Sequence, residues 1–113
     1  MSEILLNASR ATVAPNKLTE YLLSIEHKDG KAKAKFLMQF GFNPSKPEIL
    51  KDALLLHVLT RPVVVSKTSI HGEVTTVKCE IESPDGRNPC IQTVWIINHG
   101  ETSPKFVTLI PRS

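Results

Sequence analysis

The stretch His27-Lys28-Asp29-Gly30-Lys31-Ala32-Lys33 carries side chains suited to work on a phosphodiester. An imidazole titrates near neutrality and can pass a proton to or from an oxygen, while ammonium groups offset phosphate charge. At about 100° per helical residue, Lys33 projects among Phe36, Leu37 and Phe40, inside an apolar stripe. A lysine in that place either snorkels to water or is a cation held at the rim of a cleft. Lys28, Lys31 and Lys35 lie around Gly30 at the start of the same helix, where backbone N–H groups add to a phosphate-binding corner. His27 either does acid/base work there or hydrogen-bonds its own loop.

A second group lies late in the chain: Thr93 and Trp95, with Thr76, Lys78 and Thr108. An aromatic ring among hydroxyls and a lysine suits stacking on a base with contacts to phosphate. The other reading is that Trp95 is covered by the N-terminal segment or by a partner chain. Arg87, beside the Asp85-Gly86 turn, either reaches a phosphate or is only solvated. His57 falls in the apolar stripe of a helix and reads as a satisfied core residue; His71 and His99 read as turn residues. Glycine-rich nucleotide loops, Gly-x-Ser-x-Gly and His-Glu-x-x-His are absent from the sequence.

The elements that position these groups follow from periodicity and punctuation. Ile4–Leu6 is a short apolar opening. Ala14-Pro15 opens a helix with Leu18, Tyr21, Leu22 and Ile25 on one face. The polar loop from His27 to Gly30 follows, with Gly30 suited to a left-handed conformation. A second helix runs from Lys31 to Phe40 and stops at Gly41. Ser45 with Glu48 forms a capping box for a third helix, which ends before Arg61-Pro62. Four strands are expected: Val63–Ile70, Glu73–Ser83, Cys90–Ile97 and Lys105–Ile110, separated by turn signals at His71-Gly72 and Pro84-Asp85-Gly86-Arg87 and by a polar loop. Helices followed by strands predict one α+β domain, with three N-terminal helices packed on one face of a four-stranded antiparallel meander.

A two-residue Asp85-Gly86 turn predicts Ile81 opposite Cys90, Cys79 opposite Gln92 and Val77 opposite Val94 on the helix-covered side. Lys78, Thr93, Thr76 and Trp95 then share the open side, and Thr108 joins them if Val107 and Leu109 of the last strand point inward. A one-residue slip reverses every assignment. The same register sets Cys79 and Cys90 too far apart for an easy disulfide.

The totals are those of one ordinary globular domain: 113 residues, 41% hydrophobic, 22% charged, net charge +3. That charge is too small to name a nucleic-acid binder. The spacing of Cys79 and Cys90 gives no zinc site, so neither a metal nor a cofactor is expected, and a disulfide between them is allowed but not required. The opening has no leader pattern, and no apolar run approaches a membrane span. The expected setting is cytoplasmic, with reduced thiols and no membrane.

Taken in order, the residues resemble a family. They are Asn7-Ala8; Lys17-Leu18, Tyr21-Leu22-Leu23; His27, Gly30, Lys33-Ala34, Phe36; Gly41-Phe42; Ala53-Leu54 with His57; Pro84, Gly86-Arg87; Thr93-Val94-Trp95; and Val107-Thr108. The pattern is similar to an uncharacterised bacterial domain family common in cyanobacteria. It also resembles the C-terminal domains of polymorphic and contact-dependent toxins. Those are thought to share the barnase–EndoU–colicin–RelE nuclease fold. His27-Lys28 stands where many relatives have His-Pro, and Gln92 where a basic residue is expected. The resemblance implies metal-independent RNA cleavage by attack of a ribose 2′-hydroxyl on the adjacent phosphate. It implies His27 as acid or base, Lys33 as the phosphate cation and Thr93 and Thr108 as hydrogen-bonding groups. Arg87 and Trp95, with Lys31 and Lys78, would bind substrate. Two alternatives stay open: a non-enzymatic module that binds a small antitoxin- or immunity-like protein, and an inactive RNA-binding relative.

Overall fold

The computed structural model describes residues 3–112; Met1 and Ser2, the first residues of the opening without a leader pattern, lie outside it, as does Ser113. Three helices precede a four-stranded antiparallel sheet of order β1-β2-β3-β4. Helix α1 (Pro15–Lys17) runs directly into a π-helical stretch, Leu18–Leu22, closed by the Leu23 N–H on the Leu18 carbonyl. Helix α2 is Lys31–Gln39 and α3 is Pro47–Thr60. The strands are β1 (Val63–Thr68), β2 (Gly72–Glu80), β3 (Cys90–Asn98) and β4 (Lys105–Pro111).

Local chemistry accounts for most element boundaries. Gly41, at φ 99°, ends α2 where the Phe42 and Gly41 N–H groups return to the Leu37 and Met38 carbonyls, a left-handed C-terminal cap that favours glycine. The expected capping box does not form. Ser45 instead bonds the Asn43 side chain, and α3 begins at Pro47, whose missing N–H costs nothing in a first turn. Gly30 is not left-handed, at φ −88°. It is required for closeness, because a Cβ there would run into the Tyr21 carbonyl.

The sheet register is the main correction. Between β2 and β3, Glu80 pairs with Cys90, Cys79 with Ile91, Val77 with Thr93 and Thr75 with Trp95. This is one residue away from the pairing that a two-residue turn predicts. The connection from Ile81 to Pro89 is a longer loop, pinned by the Asn88 side chain on the Ser83 N–H and the Ser83 hydroxyl under the Asn88 N–H. Side chains alternate along a strand, so the slip exchanges the faces. Ile91, Thr93 and Trp95 now point into the core beneath the helices, and Thr93 and Trp95 are fully buried. Lys78 and Gln92 pair on the opposite, half-buried face.

The core gathers Leu18, Leu22, Leu37, Leu50, Leu54, Val58, Val77, Ile81, Ile91, Trp95, Phe106 and Leu109. Trp95 meets Phe106 edge to face at 5.4 Å. The slip also brings the cysteines together as diagonal neighbours. Cys79 and Cys90 form a disulfide across the β2–β3 hairpin, with Cα atoms 4.5 Å apart, against the expectation of separate, reduced thiols.

Three buried side chains hold the sheet to α3. The Cys79 carbonyl only accepts, so His57 donates to it from Nε2 at 3.0 Å. His57 Nδ1 therefore accepts from the Thr93 hydroxyl at 3.0 Å, and Thr93 accepts from the Trp95 indole N–H at 2.8 Å. Every polar atom in the chain of bonds is satisfied, the condition for burying such groups without penalty. Burial holds the His57 pKa down to about 4; the Cys79 carbonyl opposes that shift and the Arg61 charge reinforces it.

Candidate functional site

The β4 edge positions the residues that do converge. The N-terminal segment joins that edge through the bridge between Thr12 and Lys105 and through the Thr12 N–H on the Pro104 carbonyl. This sets α1 alongside β4, where the Lys17 ammonium donates to the Val107 carbonyl at 3.1 Å. The pairing of β3 with β4 shifts at Val94–Trp95, opposite Thr108 and Phe106, so Val107 is an extra residue. A bulge of this kind re-aims neighbouring side chains. The Thr108 hydroxyl meets α2 and the π-helical stretch at the edge, rather than joining Thr93 and Trp95 on one face.

Lys33, Tyr21 and Thr108 form a closed triangle. The Lys33 ammonium donates to the Tyr21 phenol at 3.0 Å and to the Thr108 hydroxyl at 3.0 Å, and the two oxygens are 2.8 Å apart. Ala34 and Leu37 are the buried centre of α2, so Lys33 stands at the flank of its apolar face and is half-buried. Its charge is neither waving in water nor matched by an acid. Among the described residues neither Lys17 nor Lys33 forms an ion pair with a carboxylate. Both ammonium groups also lie near the Tyr21 ring, 5.6 and 5.5 Å from its centre, within range of a cation–π attraction.

Tyr21 is the group that the sequence reading missed. Burial by itself would raise its pKa. Hydrogen bonds from Thr108 and Lys33 and the charges of Lys33 and Lys17 outweigh that effect, and the phenol sits below its ordinary value. Its helical register reads as an apolar face, which hid the polar end. The available signal was Lys17, four residues earlier on the same face, since a tyrosine packed into a core usually finds a partner for its hydroxyl. The π-helical turn around Tyr21 is itself a form often met at functional sites.

His27 stacks edge-on against Tyr21, with ring centres 5.0 Å apart. Its Nδ1 accepts the N–H groups of Asp29 at 3.0 Å and Gly30 at 2.9 Å. The neutral ring therefore carries its proton on Nε2 and offers its surroundings a donor. The close approach of Gly30 to the Tyr21 main chain fixes this loop against Tyr21. Asn16, Lys17, Glu20, Tyr21, His27 and Asp29 line a cavity of about 460 Å³. Glu20 and Asp29 place two carboxylates on its wall, so it is of mixed charge. Lys17 also borders a second, more apolar hollow of about 580 Å³ with Val13, Pro15, Ile96, Lys105 and Phe106.

The other expected site residues lie elsewhere. Thr93 and Trp95 are in the core, engaged with His57. Lys78 is on the face away from the helices, and Lys31 is exposed on α2. Arg87 pairs with Asp85 at 2.6 Å, bonds the Gln39 carbonyl and lies over the Phe40 ring at 4.5 Å, which fastens the β2–β3 loop to the end of α2. Of the eight expected residues, the fold joins His27, Lys33 and Thr108 around a tyrosine. Among the described residues no cluster of three or more His, Cys, Asp or Glu could hold a metal ion, and no helix is long and apolar enough to cross a membrane.

Comparison with known proteins bears on the fold. Residues 4–113 match the family described as Domain of unknown function (DUF6883). No curated protein matches the sequence. Among solved structures, the chain is similar to one in a contact-dependent growth inhibition toxin–immunity protein complex from Klebsiella pneumoniae 342. The two superpose with a TM-score of 0.71 over 95% of this chain and 97% of that one, at 14% identity. At that identity the likeness establishes a shared fold.

Proposed function

We propose that this chain, which belongs to the DUF6883 family, is a metal-independent ribonuclease whose active centre is the cleft on the β4 edge. One observation carries the reading: Lys33 and Lys17, both without a carboxylate partner among the described residues, converge on Tyr21 together with Thr108 and the His27 ring, beside an open cavity. Ammonium groups and fixed donors at one point suit the charge that accumulates on a phosphodiester during transesterification. In this reading Lys33 and Lys17 hold the phosphate oxygens, Thr108 positions the Lys33 ammonium as one of its acceptors, and His27 hydrogen-bonds the departing 5′-oxygen. The apolar hollow beyond Lys17 is wide enough to receive a flanking base. The shared fold with a chain from a toxin–immunity complex agrees with this reading without assigning the chemistry.

The test is incubation of labelled RNA with the protein in excess chelator. Cleavage to a 2′,3′-cyclic phosphate is expected, and a 2′-deoxy substitution at the scission point should block it. Lys33→Ala should lower the rate by at least about 100-fold while circular dichroism stays native, the loss typical when a charge-stabilising donor is removed. RNA left intact by the wild-type protein refutes the reading, and retained binding would then mark an inactive RNA-binding relative.

A second reading has its own observation. Val64, Val65 and Ile70 at the β1 end are 46%, 45% and 85% exposed, an apolar edge that a small immunity-like protein could cover. Co-purification with a small protein encoded beside it, lost on Val65→Glu, would favour a binding module.

A further inference from the structure

We infer that Tyr21 is the proton acceptor of the reaction: its phenolate takes the proton from the attacking ribose 2′-hydroxyl. This rests on the ribonuclease reading above. The geometry argues for the tyrosine over the histidine. His27 Nδ1 is occupied by two backbone N–H groups, so Nε2 of the neutral ring is a donor with no lone pair to offer. Lys17 and Lys33 are donors only. Glu20 and Asp29 line the cavity wall, but neither shares the triangle that Lys33 and Thr108 make with the phenol.

The triangle is built to accept ionisation. With a neutral phenol, Tyr21 can donate to Thr108, whose own hydroxyl has the Leu109 carbonyl at 3.4 Å as a weak acceptor. With a phenolate, the Thr108 hydroxyl turns to donate to Tyr21, and the Lys33 ammonium continues to donate to it. Two donors then converge on the negative oxygen, and no atom has to move further than a hydroxyl rotation. The charged and titratable groups facing Tyr21 are Lys17 from its own helix, Lys33 from α2 and His27 from the loop. Glu20 and Asp29 lie around the cavity. Burial works against ionisation, but the hydrogen bonds from Thr108 and Lys33 and the charges of Lys33 and Lys17 leave the phenol easier to ionise than a free tyrosine, which agrees with the role.

The step balances without a further reagent. The phenolate takes the 2′-hydroxyl proton, the 2′-oxygen forms its bond to phosphorus, and the bond from phosphorus to the 5′-oxygen breaks. The 5′-oxygen, held by the His27 Nε2–H, takes a proton from solvent. The phenol returns its own proton to solvent before the next turnover.

Tyr21 is the only tyrosine in the sequence, so absorbance at 295 nm titrates it alone. Its midpoint in the folded protein should lie below that of the same protein unfolded in urea, and Lys33→Met should raise it. Tyr21→Phe should lower kcat on RNA at least about 100-fold, the usual contribution of a general base, with KM little changed. In the wild type the acidic limb of the kcat profile should follow the absorbance midpoint, and in Lys33→Met it should move upward with that midpoint. Coincident folded and unfolded titrations overturn the inference. So does a Tyr21→Phe enzyme that cleaves at the wild-type rate, in which case the ribonuclease reading survives without it. RNA left intact by the wild type overturns that reading and this role together, even with a lowered phenol midpoint.

Discussion

Replacing the register expected from sequence by the observed one turns Thr93 and Trp95 into core residues, and this has a measurable consequence at His57. In the folded protein His57 is buried, and its pKa is lowered to about 4. In the unfolded chain it returns to about 6.5. Between those values the unfolded state binds more protons than the folded one, so stability rises with pH through the window. The contribution is complete above pH 6.5 and is lost as pH falls towards 4. A shift of roughly 2.5 units corresponds to about 3 kcal/mol. With an m-value of about 1–3 kcal/mol/M, the urea midpoint should fall by roughly 1–3 M between pH 7.5 and pH 4.5. Trp95, the only tryptophan, is hydrogen-bonded into the same network and reports unfolding by fluorescence. Other groups titrate in this range, so the comparison is with His57→Gln, whose amide can still donate to the Cys79 carbonyl. The variant should be less stable at pH 7.5, and its midpoint should vary much less across the window. If wild type and His57→Gln show the same pH slope, the buried neutral imidazole is refuted, and with it the bond pattern that holds Thr93 away from any substrate.

Three further outcomes follow from the same contacts. Thr93→Val keeps the shape but leaves the Trp95 indole N–H without its acceptor and His57 Nδ1 without its donor, so chemical denaturation should show a loss of about 2–5 kcal/mol, largely restored by Thr93→Ser. Gly30→Ala forces a Cβ into the Tyr21 carbonyl and should cost about 1–3 kcal/mol, with the Tyr21 titration at 295 nm moving towards that of the unfolded chain. Joining Cys79 and Cys90 across a separation of 11 residues should contribute about 3 kcal/mol by restricting the unfolded chain, read as the difference in denaturation midpoint with and without a reductant.

The order and type of elements were legible in the sequence because they are set by short-range chemistry. Pro15 and Pro47 open helices, Gly41 closes one, and alternating β-branched residues mark four strands. Three helices before an antiparallel meander could be read from those signals alone, as could the burial of His57 in an apolar stripe. Lys33 was also visible as a charge out of place, though the sequence set it inside the apolar stripe and the structure sets it at the flank.

What the sequence left undecided is parity. Both faces of β3 are largely apolar, so hydrophobic pattern could not choose between Thr93-and-Trp95 inward and Gln92-and-Val94 inward. The choice fell to the loop from Ile81 to Pro89, where Asn88 and Ser83 close a longer turn than Asp85-Gly86 alone. One residue of slip exchanged the faces, joined the two cysteines and withdrew two expected site residues into the core. The site was likewise decided in three dimensions. Tyr21 and Thr108 are 87 residues apart and meet only because the N-terminal segment runs along the β4 edge and a bulge at Val107 turns Thr108 towards it. Residue types set which groups can carry charge or a proton; packing of the edge strand determined which of them share one cleft.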